Sequence, residues 1–255
     1  MKALWIALAM YSRLPAPRTA WEEKNMAWAL CWFPAVGLAA AGLLRLWWAL
    51  CAWLELGGVL FAAVAVIIPA AVSGGIHLDG LCDTCDALGS HQSREKKLEI
   101  LKDSHAGAFA IIGCGLYLLL LFAAWHQVWP AAGTAGALCL GPVFSRGLSG
   151  LMAALLPNAR GSGLLARFTR SMDVRRARAI LLLWSAAAAG GMIVLNPWVG
   201  LPGLAGAGAV TAYYVVMSRR QFGGITGDLE GFYLQLCELA LVICPAIALK
   251  IEVLL

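Results

Sequence analysis

Charge is what this chain has least of. Lysine, arginine, aspartate and glutamate make up 13% of its 255 residues, against about 25% in soluble domains. Hydrophobic residues make up 61%, and a soluble core of that composition would expose very large apolar patches. A soluble globular fold is therefore excluded. Several apolar runs approach the roughly 20 residues that cross a bilayer, so the lipid bilayer is the first partner the sequence names.

Other absences narrow the field. No basic stripe is interleaved with aromatics, so the formal charge of +5 does not point to nucleic acid. Most of the eight cysteines lie in apolar segments, where a free thiol acts as a small hydrophobe. Cys82 and Cys85 have a metal-like spacing, but no second pair follows, and they read as structural thiols. The apolar run near Met1 lacks a small-residue cleavage site after Tyr11, so it reads as a retained, membrane-associated segment. No internal repeat or inverted symmetry relates the halves, which weakens a transporter reading. No linker divides the chain, and one domain covers residues 1–255.

What is present reads as an all-α polytopic membrane protein of about seven transmembrane helices, with bounds of six and eight, plus one charged interfacial helix. The predicted spans are 26–53, 59–73, 108–125, 132–156, 179–195, 201–217 and 232–249, with the interfacial helix at 90–102. Trp47 and Trp48 suit a membrane interface. Asp103 and Ser104 are predicted to cap the helix from Ala108. With seven crossings, the N-terminal segment and loops 74–107, 157–178 and 218–231 share one side. They hold 16 of the 19 lysines and arginines, Arg167, Arg170, Arg175, Arg176 and Arg178 among them, while loops 54–58, 126–131 and 196–200 hold none. The positive-inside rule then puts the N-terminus in the cytoplasm and the C-terminus outside.

The most informative stretch lies on that basic side: Gly74-Gly75-Ile76-His77-Leu78-Asp79-Gly80-Leu81-Cys82-Asp83-Thr84-Cys85-Asp86. Asp79, Asp83 and Asp86 are the only charges between Glu55 and Arg94. At about 100° per residue they fall within roughly 60° of one helical face. Acids so placed repel one another without a counter-charge, and an all-oxygen set suits magnesium. Gly74 and Gly75 can break a helix and let backbone approach a ligand. His77 lies about 160° round from Asp79 and would not share the acidic face.

Other groups converge on the same side. Lys102-Asp103-Ser104-His105-Ala106-Gly107 precedes the third span. Gly223-Gly224-Ile225-Thr226-Gly227-Asp228 precedes the seventh, where backbone amides could cradle phosphate or Asp228 could bind metal. Arg146 lies inside the fourth span, where a guanidinium faces either a partner such as Glu238 or a substrate phosphate. The basic loop 157–178 suits anionic lipid and could also help hold an anionic substrate. Acids, arginine and glycine-rich loops at one membrane boundary point to phosphoryl chemistry on a large or amphipathic substrate.

These residues resemble a known family. The Gly74–Asp86 stretch is similar to the signature of the cobalamin (5′-phosphate) synthase family, adenosylcobinamide-GDP ribazoletransferase. Ser12-Arg13-Leu14-Pro15-Ala16-Pro17, Lys102-Asp103-Ser104-His105-Ala106-Gly107-Ala108-Phe109 and Gly223-Gly224-Ile225-Thr226-Gly227-Asp228 resemble its other blocks, in order. Cys82, Cys85 and Ala87 depart from the common residues and remove no carboxylate. The resemblance implies a magnesium-dependent enzyme of the bacterial inner membrane, with its active site facing the cytoplasm. α-Ribazole, or its 5′-phosphate, would displace GMP from adenosylcobinamide-GDP.

On that resemblance Asp79, Asp83 and Asp86 hold Mg2+ against the diphosphate, with Asp228 or Asp103 completing the shell. Arg146 stabilises phosphoryl oxygens, and Gly74, Gly75, Lys102, Ser104, Gly224, Thr226 and Gly227 contact substrate. Asp86, Asp103 and His77 are candidate bases. A homo-oligomer, or a complex with other cobalamin-assembly enzymes, stays open.

The alternatives are another magnesium-dependent membrane transferase or, less favoured, a cation transporter. A CDP-alcohol phosphotransferase needs an Asp-Gly-x-x-Ala-Arg block, of which only Asp79-Gly80 is present. A UbiA-like prenyltransferase would show two Asp-x-x-x-Asp motifs, and only Asp79/Asp83 fits. A transporter would place its acids at the midplane.

Overall fold

The computed structural model of the chain describes residues 1–131, 133–161 and 172–254. Arg167 and Arg170 of the basic loop lie outside the described residues. The described chain is helical: α1 (Lys2–Tyr11), α2 (Glu23–Ala29), α3 (Phe33–Trp53), α4 (Gly58–Ser73), α5 (Ile76–Gly89), α6 (Arg94–Ile100), α7 (Ala108–Val128), α8 (Ala135–Cys139), α9 (Gly141–Leu155), α10 (Val174–Leu195), α11 (Pro197–Met217) and α12 (Gly227–Leu254). Among the described residues six helical stretches are long and apolar enough to cross a membrane, and the pair α4 and α5 would make a seventh. Ile111, Leu119, Leu183 and Val194 expose their side chains, as helices do when lipid is their outer solvent.

The chain alternates between two ends. At one end α1 meets α4 where the Arg13 amide donates to the Val72 carbonyl. At that same end α5 meets the start of α7, and Pro157, Ala159 and Ile225 exchange backbone hydrogen bonds. At the other end Trp48, Phe61, Trp125 and Trp129 pack as one aromatic cluster. Trp48 is buried in that cluster.

Helix starts differ from the sequence expectation where caps decide them. α10 begins at Val174, because the Asp173 side chain accepts from the Arg176 amide. Arg175, Arg176 and Arg178 therefore lie on the helix, not in a loop. α11 begins at Pro197, where Asn196 accepts from the Trp198 and Val199 amides. α12 begins at Gly227, with the Thr226 hydroxyl accepting from the Leu229 amide. The start of α12 matters most, since it puts Asp228 and Glu230 in a first helical turn that favours negative charge. Asp103 and Ser104 do not cap α7. Its amides at Gly107 and Ala110 bond instead to Asp86, which comes from α5.

Candidate active site

α5 owes its position to a sharp break. Gly74 and Gly75 both take left-handed conformations, with φ of 67° and 83°, which other residues adopt only with strain. The axis turns by 95° between α4 and α5. α5 then runs across the starts of α7 and α12, at the end of the bundle where the basic loops lie. A Cβ on Gly80 would lie 2.5 Å from the Asp228 carbonyl oxygen. Only glycine lets α5 seat so closely on α12.

That crossing gathers the acids. Burial first, then Asp79, Asp228 and Asp86, pushes the Asp83 carboxyl up to about 7, while Arg160 opposes the shift. Arg160 Nη1 stands 3.6 Å from Asp228 Oδ2, and the Thr226 hydroxyl lies 3.3 Å from the same oxygen. Arg160 is steadied by donating from Nη2 to the Leu98 carbonyl, while its buried Nε has no partner.

The remaining site residues divide into those the fold brings together and those it does not. Asp86 reaches the cluster electrostatically, but both its oxygens accept α7 amides, from Gly107 at 2.6 Å and Ala110 at 2.8 Å. Lys102, Asp103 and Ser104 are exposed, and Asp103 accepts from His105. Gly224 packs against the Pro157 carbonyl, and Gly227 opens α12. Arg146 is buried: its Nη1 lies 2.7 Å from Glu238 Oε1 and donates to the Pro142 carbonyl. Of the two readings the sequence left for Arg146, the geometry realises the ion pair.

Two spaces adjoin the acids. An open cleft of about 590 Å3 is bounded by Ser12, Arg13, Gly74, Gly75 and Asp79. A more enclosed cavity of about 210 Å3 is bounded by Phe33, His77, Asp79, Asp228 and Glu230. Asp79 borders both. His77 enters this site although it stands off the acidic face of α5, because the cavity reaches round to its side of the helix. Sequence reasoning missed Glu230 and Arg160. Glu230 was hidden by placing the seventh span at residue 232, and it accepts hydrogen bonds from Ser149 and Tyr214. Arg160 was one of many basic residues in its loop, with no spacing to distinguish it.

Carboxylate oxygens are the donors that a hard divalent cation takes. Among the described residues no group of three acid, histidine or cysteine side chains is placed to hold a metal ion by itself. Magnesium rarely uses such a group: it takes one or two carboxylates and fills its octahedron with water and substrate phosphate. Burial first, and then the neighbouring acids, raise the Asp83 carboxyl, and a divalent cation would favour its ionised form.

A family model described as cobalamin-5-phosphate synthase matches residues 3–246. A protein of Lachnoclostridium phytofermentans, named adenosylcobinamide-GDP ribazoletransferase, is 39% identical over 94% of this chain and 91% of its own length. Proteins of the same name from Ectopseudomonas mendocina and Desulfitobacterium hafniense are 34% and 33% identical, over 96% and 94% of this chain and 98% and 94% of theirs. No solved structure matches the chain significantly.

Proposed function

The chain belongs to the cobalamin-5-phosphate synthase family and is a multi-pass transferase of cobalamin biosynthesis; from that premise we propose that it transfers the adenosylcobinamide phosphate group of adenosylcobinamide-GDP to α-ribazole or α-ribazole 5′-phosphate. The ribose 3′-hydroxyl attacks the cobinamide-side phosphorus. The bond from that phosphorus to the bridging oxygen breaks, and GMP leaves with the electron pair. The products are adenosylcobalamin or its 5′-phosphate and GMP.

The observation that carries this reading is the convergence of Asp79, Asp83 and Asp228, with Arg160, beside two spaces that share Asp79. One or two of Asp79, Asp83 and Asp228 would hold magnesium, which when bound would neutralise the diphosphate and stabilise GMP as a leaving group. Arg160 adds a guanidinium for phosphoryl oxygens, held by Leu98 and Asp228 so that little entropy is lost on engagement. Arg13, folded over Gly74 at the open cleft, adds a second. A loose transition state needs little help with the hydroxyl proton. Asp86 fixes α5 against α7 and so sets the spacing of the other acids. The lysines and arginines around this end of the bundle support a cytoplasmic active site and a cytoplasmic N-terminus.

The test is incubation of the purified enzyme in nanodiscs with adenosylcobinamide-GDP, α-ribazole and magnesium. Mass spectrometry is expected to find GMP and cobalamin in equal amounts. Their absence overturns the assignment.

A further inference from the structure

A groove of about 410 Å3 opens between α5, α6 and the end of α11. No carboxylate lines it, and it shares no lining residue with the two spaces beside Asp79. His91, Lys97 and Arg220 make its lining polar on one part, and Leu88, Tyr213 and Val216 make it apolar on another. Lys97 is only 7% exposed, and lysine is almost never so buried without a paired charge. Its ammonium has three donors and one partner, the side-chain oxygen of Gln221. Among the described residues neither Lys97 nor Arg220 has a carboxylate partner. Glu99 of α6 is taken by Lys96 instead. A buried cation at an acid-free groove calls for an anion from outside the chain.

The apolar lining says which anion. Tyr213 and Val216 are 49% and 50% exposed, near the end of a stretch long and apolar enough to span, where the outer solvent is lipid. A free phosphate would use the cations and leave those side chains idle. A phospholipid uses both, with its phosphate on the cations and an acyl chain along the helix. We propose that this groove holds one anionic membrane lipid, its phosphate bridging Lys97 of α6 to Arg220 of the turn after α11.

That bridge fastens α6 over the acids. Arg94 lies against Gly223, where a Cβ would come within 1.8 Å of the guanidinium carbon. The Leu98 carbonyl accepts from Arg160, which stands 3.6 Å from Asp228. α6 is therefore tied both to the chain that leads into Asp228 and to the arginine beside it.

The test places the purified full-length protein, without substrate, in nanodiscs of phosphatidylcholine with and without phosphatidylglycerol. Retained lipid is read by native mass spectrometry and stability by thermal melting. The wild type is expected to retain one phosphatidylglycerol in preference to phosphatidylcholine, and to melt higher when it is present. Lys97→Gln with Arg220→Gln should weaken retention by about fivefold for each cation removed and abolish the rise in melting temperature. Arg220→Gln alone changes an exposed side chain, so it keeps the test open if the double variant does not fold, and it should lose about fivefold. Arg175→Gln with Arg176→Gln removes the same charge from α10 and should change retention less than about twofold.

Equal retention of the two lipids by the wild type overturns the proposal. So does an equal loss in the α10 variant, since attraction would then be diffuse. Displacement of the lipid by inorganic phosphate or GMP also overturns it, because the groove would then be a site for free phosphate. None of these readouts involves turnover, so they stand or fall apart from the transfer reaction proposed above.

Discussion

Gly80 on α5 and Asp228 on α12 touch so closely that a methyl group on the glycine would lie 2.5 Å from the aspartate carbonyl. The partner is backbone inside a helix and cannot swing aside. Gly80→Ala must therefore push α5 away from α12, the movement that separates Asp79 and Asp83 from Asp228. Overpacking of this kind costs about 1–3 kcal/mol. We expect a lower melting temperature in detergent and at least a tenfold loss of GMP release, a threshold of about 1.4 kcal/mol in transition-state stabilisation. Wild-type turnover by Gly80→Ala would show that the spacing of the acids is not critical.

The acids themselves predict a pH dependence. An unfolded aspartate ionises near pH 4, whereas the Asp83 carboxyl ionises at about 7 in the fold. Between those values the folded chain holds a proton that the unfolded chain has released, so stability without metal falls as pH rises through that window. A divalent cation favours the ionised cluster and reverses that loss. Magnesium should therefore raise the melting temperature more at about pH 8 than at about pH 6, since metal must displace the proton at the lower pH. In Asp83→Asn the two shifts should become equal. Equal shifts in the wild type would remove Asp83 from the metal site.

Asp79 and Asp86 look equivalent in the sequence and should behave oppositely on truncation. Asp86 accepts two α7 amides, and loss of a cap of this kind costs about 1–2 kcal/mol. Asp79 adds repulsion to Asp83. Asp86→Ala should lower the melting temperature without magnesium, while Asp79→Ala leaves it unchanged or raises it, although both lose activity. Denaturation in detergent, followed by circular dichroism, separates the two. Equal destabilisation would refute the distinction.

Most of the fold was legible because membrane spans follow from apolar runs, and the break at Gly74-Gly75 from glycine itself. The ends of the helices were less so. Asp173, Asn196 and Thr226 set three starts through side-chain hydrogen bonds, and polarity alone places those residues in loops. The acids on α5 were legible from helical spacing, which depends on one element. Asp86 as a cap, Glu230 beside the cavity and Arg160 beside Asp228 depend on how elements cross, and no spacing in the chain encodes that.

The buried pair of Arg146 and Glu238 allows the two readings of that arginine to be separated. Arg146 Nη1 lies 2.7 Å from Glu238 Oε1, with the two side chains 1% and 8% exposed, and Ser145 also donates to that carboxylate. Removing one partner strands a charge, so Glu238→Leu alone should cost about 3–5 kcal/mol. Replacing both ions with apolar residues of similar size, as in Arg146→Met with Glu238→Leu, leaves no stranded charge and should recover most of that loss. A pair that serves packing alone predicts that the double variant releases GMP within about threefold of the wild-type rate, a difference of less than 1 kcal/mol. An arginine that clamps phosphate predicts a folded double variant slowed by about a hundredfold or more. The ion pair and the bond to Pro142 favour the first outcome, and thermal melting together with GMP release decides it.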